Sequence, residues 1–212
     1  MNYLIKSILA GVVIAIGGTI YLSLENSVIG AFLFAIGLYF VVTRQLNLYT
    51  GKIGYVVNSE PKYLIELLIT LVGNFIGTFI AGFALRYTRI YDKLFSKAEI
   101  ISNIKLEDSI LSIFILSVFC GMLMYLAVDG YKKIQDSFGK NIGVFLCVAV
   151  FILCGFEHCI ANMYYFTVSS SWGAQALGYM GIMILGNSVG GIFFPLMEKM
   201  IKTKVKLLDQ EK

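Results

Sequence analysis

Charge is scarce in this chain of 212 residues: Asp, Glu, Lys and Arg together make up 14%, where soluble domains run near a quarter. Histidine and tryptophan each occur once, proline twice, and the four cysteines (Cys120, Cys147, Cys154, Cys159) form no C-x-x-C pair. These shortages exclude whole classes. A net charge of only +4, scattered along the chain, excludes a disordered polyelectrolyte and a nucleic-acid binder. Cysteines lying within apolar segments are small core residues rather than a secreted disulfide scaffold. One histidine with no second ligand at coordination spacing leaves no metal site and no cofactor such as haem.

In place of charge the chain carries apolar residues, 58% of the total, with a mean hydropathy of +0.80. They fall in runs of about 20, the length a helix needs to cross a hydrocarbon core of about 30 Å. The composition therefore implies an all-α polytopic membrane protein partnered by a lipid bilayer. The N-terminal Met-Asn-Tyr-Leu-Ile-Lys leads into the first span; no small-residue cleavage site follows to make it a signal peptide.

Six spans are expected, near 7–24, 28–57, 64–87, 109–128, 141–168 and 174–197. The second and fifth are longer than a straight crossing and are interrupted by polar residues, at Thr43 to Lys52 and at Gly155 to Asn162. A backbone break at membrane depth survives only where protein or a water-filled cavity satisfies the freed N–H and C=O groups. The halves also repeat. Ser7, Ala10 and Gly11 align with Ser117, Cys120 and Gly121, and Asn47 to Lys52 with Glu157 to Asn162, both at an offset of 110; Gly73-Asn74-x-x-Gly77 aligns with Gly186-Asn187-x-x-Gly190 at 113. Three spans per half is an odd number, so the halves are inverted, an arrangement that places a transport site between the repeats. The chain is expected to be one membrane domain over 1–212, with repeat one about 1–90, repeat two about 105–205 and a short C-terminal tail at 203–212. Its lysine and arginine distribution, eleven against five, places both termini in the cytoplasm of a multi-pass cell-membrane protein, with the basic connection between spans three and four outside. That connection reads either as an anion-attracting surface or as a solvated loop of mixed charge.

The residues with chemistry sit in the two breaks. Glu157 and His158 are ionisable groups within an apolar stretch, which at membrane depth is a functional hypothesis by default. His158 suits a pathway because its charge responds to modest changes of environment. Neighbouring residues on a helix point about 100° apart, so Glu157 is expected to face away from His158 and to accept hydrogen bonds from backbone N–H groups freed at the break, with Asn47 doing the same in the first half. Thr50 offers a hydroxyl to His158 or to an anion; the alternative is a bond back to its own helix. Lys52 either adds a cation near the inner end of the second span or snorkels to the interface. The glycine pairs are read as close helix packing.

At these residues the chain resembles the formate/nitrite transporter family. Gly155-Phe156-Glu157-His158-Cys159-Ile160-Ala161-Asn162-Met163 is similar to the family's G-F-E-H-S-[IV]-A-N-M signature, with Cys159 at the serine; Leu48-Tyr49-Thr50-Gly51 is similar to L-F-T-[GS]; Gly186-Asn187-Ser188-Val189-Gly190-Gly191 resembles G-N-x-[IV]-G-G. The resemblance implies an aquaporin-like protomer of six helices with spans two and five broken, assembled as a homopentamer with one pore per protomer. It further implies conduction of small monovalent anions such as formate, nitrite or hydrosulfide, with no enzymatic activity. Carried over by position, His158 is the central pore histidine, Thr50 its hydrogen-bonding threonine and Lys105 an outer-vestibule lysine. Phe34, Leu38, Tyr49, Met124 and Phe151 fall at apolar constrictions, while Glu157, Asn47 and Asn162 support the breaks. Asn47 stands at a frequent glutamate, Gly121 at a frequent asparagine and Lys52 at a small or amide residue, so substrate identity stays open.

A bare anion loses its hydration in an apolar slit, whereas a neutral weak acid crosses far more easily. The expected mechanism is that Lys105 draws the anion in, Thr50 and His158 hold it, and His158 shares or supplies a proton; a neutral His158 that only donates a hydrogen bond is the other version. The rival readings are a neutral-solute or water channel, which lacks the paired Asn-Pro-Ala signature, a non-conducting sensor of the same fold, and an intramembrane enzyme.

Overall fold

Runs of Leu, Ile, Val and Phe interrupted by small residues leave helix as the form that satisfies its backbone without water. In the computed structural model the described residues, 2–210 for the backbone and 2–204 for side chains, form helices joined by short turns, with no strand among them. In chain order the elements are α1 (Asn2–Ser23), α2 (Ser27–Phe34), α3 (Ile36–Thr43), α4 (Tyr49–Lys52), a 3-10 segment (Ile53–Asn58), α5 (Tyr63–Leu85), α6 (Tyr91–Glu107), α7 (Ile110–Lys133), α8 (Ser137–Leu153), α9 (Cys159–Val168) and α10 (Ala174–Gln210). Four of them, α1, α5, α7 and α10, are long and apolar enough to cross a bilayer. Helices α2 and α3 form one apolar rod with a tightened turn at Ala35, whose N–H reaches the Phe32 carbonyl at 3.2 Å.

Two long pairs frame the molecule, α1 against α5 and α7 against α10, and both rest on glycine. A Cβ added at Gly11 would strike the Asn74 carbonyl, and one at Gly121 would strike the Asn187 carbonyl. Gly77 and Gly190 face the carbonyls of Ile8 and Val118 in the same way. Backbone-to-backbone packing of this closeness leaves no room for any side chain.

The chain stops being helical where the polar interruptions fall, between Thr43 and Tyr49 and between Leu153 and Cys159. Both stops use one device. Gln45 (φ 51°) and Gly155 (φ 69°) take the left-handed conformation, and the next residue's N–H reaches back: Leu46 to Val41 O at 2.9 Å and Phe156 to Phe151 O at 2.8 Å. This Schellman closure satisfies carbonyls that would otherwise be stranded at the helix end.

The connection between the third and fourth expected spans is not a loop. It is α6, whose buried residues Leu94, Ala98, Ser102 and Lys105 recur at helical spacing and face α1 and α9. One of its basic residues is engaged with α1: Lys97 donates to the carbonyls of Tyr21 and Leu24 at 2.8 and 2.6 Å, closing the C-terminal end of that helix. Residues 203–210, expected to be tail, continue α10, which contains Pro195 and runs for 37 residues.

Candidate functional site

The first turn of each re-started helix has N–H groups with no partner behind them, and a distant asparagine supplies one. Asn74 accepts the Tyr49 N–H at 2.9 Å and donates to the carbonyls of Ser7 and Asn47 at 2.7 and 2.8 Å. Asn187 accepts the Cys159 N–H at 2.9 Å and donates to the carbonyls of Ser117 and Glu157 at 2.8 and 2.7 Å. Six bonds thus match pairwise between the halves. The Gly-Asn-x-x-Gly segments were legible as packing motifs, but the role of their asparagines as caps for another span was not.

These caps fix the backbone beside Thr50 and His158, which are 0% and 2% exposed. Thr50 Oγ1 lies 2.8 Å from His158 Nε2, so the threonine bonds across the molecule rather than back to its own helix. The other imidazole nitrogen, Nδ1, accepts the N–H of Ala161 at 3.1 Å, making His158 the N-cap of α9. An acceptor cannot carry a proton, so Nδ1 is bare and the ring hydrogen resides on Nε2, pointing at Thr50. The Thr50 hydroxyl hydrogen is then left to donate elsewhere.

Two cavities end near this pair. One, of about 550 Å³, is lined by Tyr3, Lys6, Asn47, Leu48, Gly51, Lys52, Tyr131 and Lys132 among others. The second, of about 220 Å³, is lined by Tyr21, Lys105, Asp108, Phe151, Glu157, His158, Asn162 and Tyr165 among others. The first gathers at the start of α1 and the end of α7, the second at the end of α1 and the start of α7. They therefore open toward opposite ends of helices about 33 Å long at 1.5 Å per residue. Phe34, Leu38 and Met124 are each 1% exposed and line neither cavity. Phe151 stacks on the His158 ring with centroids 5.4 Å apart and meets Phe34 edge-on at 5.9 Å. Tyr49, expected at a constriction, lines neither cavity; its hydroxyl is bonded to Ser188 Oγ at 2.9 Å, and its neighbour Leu48 lines the larger cavity instead. Sequence reasoning passed over Leu48, although its place directly before Tyr49 in the break was the available signal.

The charged residues differ from expectation in their partners. Glu157 does not accept from freed backbone N–H groups: its carboxylate takes two bonds from Lys105 Nζ, at 2.9 and 2.7 Å, and one from Asn162 Nδ2 at 2.6 Å. Lys105 does line the smaller cavity, but it is 9% exposed and its charge is compensated, because a cation withdrawn from water must be paired. Asn47 likewise donates, to Tyr3 O at 3.0 Å, rather than accepting. Lys52 is half-buried, with its Nζ 3.5 Å from the Tyr3 hydroxyl on the wall of the larger cavity. No group of three or more His, Cys, Asp or Glu side chains is placed to hold a metal among the described residues.

Two cavities gathered at opposite ends of an apolar helical bundle, with a buried threonine–histidine bond beside them, fit a membrane transport protein. The chain belongs to the formate/nitrite transporter family, whose model matches residues 1–200. It is 29% identical over 185 residues to the uncharacterized transporter YrhG of Bacillus subtilis (strain 168), a match covering 80% of this chain and 69% of that protein. It is 30% identical over 105 residues to the formate channel BtFdhC of Bacillus thuringiensis, covering 47% of this chain and 40% of the relative. Among solved structures, a pentameric formate channel with formate bound superposes with a TM-score of 0.80 at 24% identity, covering 95% of this chain and 96% of that one. An FNT family ion channel superposes at 0.77 with 20% identity, covering 94% and 88%. The family and these neighbours are channels and transporters, not enzymes.

Proposed function

We propose that the protein is a pore for small monovalent anions of weak acids, formate first among them, crossing a cell membrane six times with both termini cytoplasmic. In this reading α2 to the 3-10 segment forms one broken span and α8 with α9 the other, the two halves being inverted repeats. The carrying observation is the 2.8 Å bond between Thr50 and His158: His158 lines one cavity and Gly51, next to Thr50, lines the other, the two cavities being gathered at opposite ends of α1 and α7. The matched caps from Asn74 and Asn187 support the repeat. The pentameric assembly of the structural neighbour supports a homopentamer with one pore per protomer.

The chemistry follows from the hydrogen positions. His158, held bare at Nδ1 by Ala161, donates through Nε2 to Thr50, and the Thr50 hydroxyl donates onward to the oxygen of a passing carboxylate or nitrite. This fixed donor chain supports the version in which His158 stays neutral and any proton travels with the substrate as its conjugate acid. Protonating the histidine would put a hydrogen on Nδ1 against the Ala161 N–H and undo the cap of α9. Phe34, Leu38, Met124 and Phe151 form the apolar slit that favours the neutral acid over the hydrated ion.

The test is flux into proteoliposomes of formate, nitrite, hydrosulfide, acetate and chloride, read with an internal pH dye. Formate uptake with proton uptake in step, and chloride excluded, supports the reading. Absence of flux for all five overturns it.

A further inference from the structure

The two cavities carry unequal charge. One lysine and two carboxylates line the smaller, and Lys105 is already bound to Glu157 there. Three lysines, Lys6, Lys52 and Lys132, line the larger, with no carboxylate among its lining residues. None of the three forms an ion pair among the described residues. The acids behind them are engaged or withdrawn: Asp129 is paired with Lys133 at 2.8 Å, and Glu66, within electrostatic reach of Lys52, does not line the cavity. Aromatic rings hold two of the lysines without neutralising them, Lys52 5.1 Å from the Tyr3 ring centroid and Lys132 4.1 Å from that of Tyr55.

Uncompensated like charges gathered around a concave surface repel one another, and the arrangement is stabilised by an anion that binds all of them. The space is also far larger than formate requires. A cavity of about 550 Å³ bearing three cations matches an anion with several charges and several oxygens. Such an anion is too large and too strongly hydrated to enter the slit beyond Leu48.

We infer that the Lys6–Lys52–Lys132 cavity is a binding site for a multivalent phosphate-class oxyanion, which when bound closes this mouth of the pore to small anions. The inference rests on the anion-pore reading of the protein. Lys199 Nζ bonds the Val57 carbonyl at 2.9 Å, so α10 passes the 3-10 segment that follows Lys52 as it runs toward its C-terminal end. A cleavable C-terminal tag therefore marks the side on which this mouth opens.

The experiment is formate flux in phosphatidylcholine vesicles sorted by tag accessibility, with pyrophosphate added to one side at a time. Pyrophosphate on the tag side is expected to lower flux, and the same addition on the far side to leave it unchanged. Each single Lys→Gln change at positions 6, 52 and 132 should weaken the block by about twofold to fivefold, the scale of one partly solvated charge contact. Basal flux should be retained. The Lys6→Gln/Lys132→Gln pair, which leaves the short α4 untouched, keeps the test open should Lys52→Gln misfold. A second arm replaces free pyrophosphate with vesicles containing phosphatidic acid, whose phosphomonoester headgroup is multivalent near neutral pH. Lysine-dependent inhibition there assigns the site to a lipid headgroup, and inhibition by pyrophosphate alone assigns it to the free ion. Undiminished flux in both arms, or inhibition equal from the two sides, overturns the inference while leaving the pore intact. Absence of basal formate flux overturns the pore reading instead.

Discussion

The backbone N–H of Ala161 donates to Nδ1 of His158, and this one bond determines which ring nitrogen is turned toward Thr50 with its hydrogen. The same bond ties the helix start at Cys159 to the imidazole's hydrogen position, so the local fold and the proposed donor chain cannot be altered separately. Because His158 is the only histidine in the chain, its nitrogen signals are unambiguous. In protein labelled with 15N-histidine at neutral pH, the spectrum should show a protonated Nε2 and a bare Nδ1. A protonated Nδ1 would remove the fixed-donor mechanism.

His158→Asn keeps an N-cap side chain able to accept from Ala161 but too short to reach Thr50. Oligomer size should be retained while formate flux falls by about tenfold or more, the equivalent of about 1.4 kcal/mol of lost stabilisation in passage. Size-exclusion chromatography and liposome flux on the same preparation check both halves of the expectation.

Lys105→Met should destabilise the protein by about 3–5 kcal/mol, because it leaves the buried Glu157 carboxylate without its counter-charge and with Asn162 as its remaining side-chain donor. The double variant Lys105→Met/Glu157→Gln should recover most of that loss. Thermal unfolding in detergent measures the pair. A lysine acting only as a solvated anion attractant would instead lose flux on substitution with no change in unfolding temperature.

Asn74→Ala and Asn187→Ala each remove three buried hydrogen bonds and leave an amide hydrogen and the carbonyl of the break residue, Asn47 or Glu157, without these partners, while the Ser7 and Ser117 carbonyls keep their place in the ladders of α1 and α7. At about 1–3 kcal/mol for each stranded group, either change should destabilise the protein by at least about 2 kcal/mol. The two losses should be similar in size, since the bonds correspond. A tolerated alanine at either position, judged by unfolding temperature, would contradict the capping role.

Gly155 and Gln45 occupy equivalent left-handed positions, one suited to it and one not. Gly155→Ala should cost about 1 kcal/mol, and Gln45→Gly should stabilise by a comparable or smaller amount. Open space surrounds Gly155, with nothing within 4 Å of an added Cβ, so the cost of its substitution is conformational rather than steric. Paired unfolding curves distinguish the two signs.

Much of the arrangement was legible in the sequence because it depends on patterns local to a span: apolar runs, glycine pairs, and polar residues interrupting a helix at corresponding points of the two halves. What escaped depends on partners far apart in the chain. Lys105 and Glu157 lie 52 positions apart, and no periodicity announces that they meet. The α6 helix was hidden by its own amphipathicity, because Leu94, Ala98 and Ser102 are separated by charged and polar residues and never form an apolar run. Lys6 and Lys132 entered the sequence reading only as tokens of orientation, and their convergence with Lys52 on one cavity required the fold.

The asparagine caps also impose an order on biosynthesis. The amide of Tyr49 waits for Asn74, which leaves the ribosome soon after it, one span later. The amide of Cys159 waits for Asn187, which lies on α10. A nascent chain arrested between the two holds a finished first half beside a second half whose central turn is still open. The helix that carries Asn187 is therefore the one that closes the second break, and a truncation in its first half should leave a polypeptide that inserts into the membrane but is cleared by quality control.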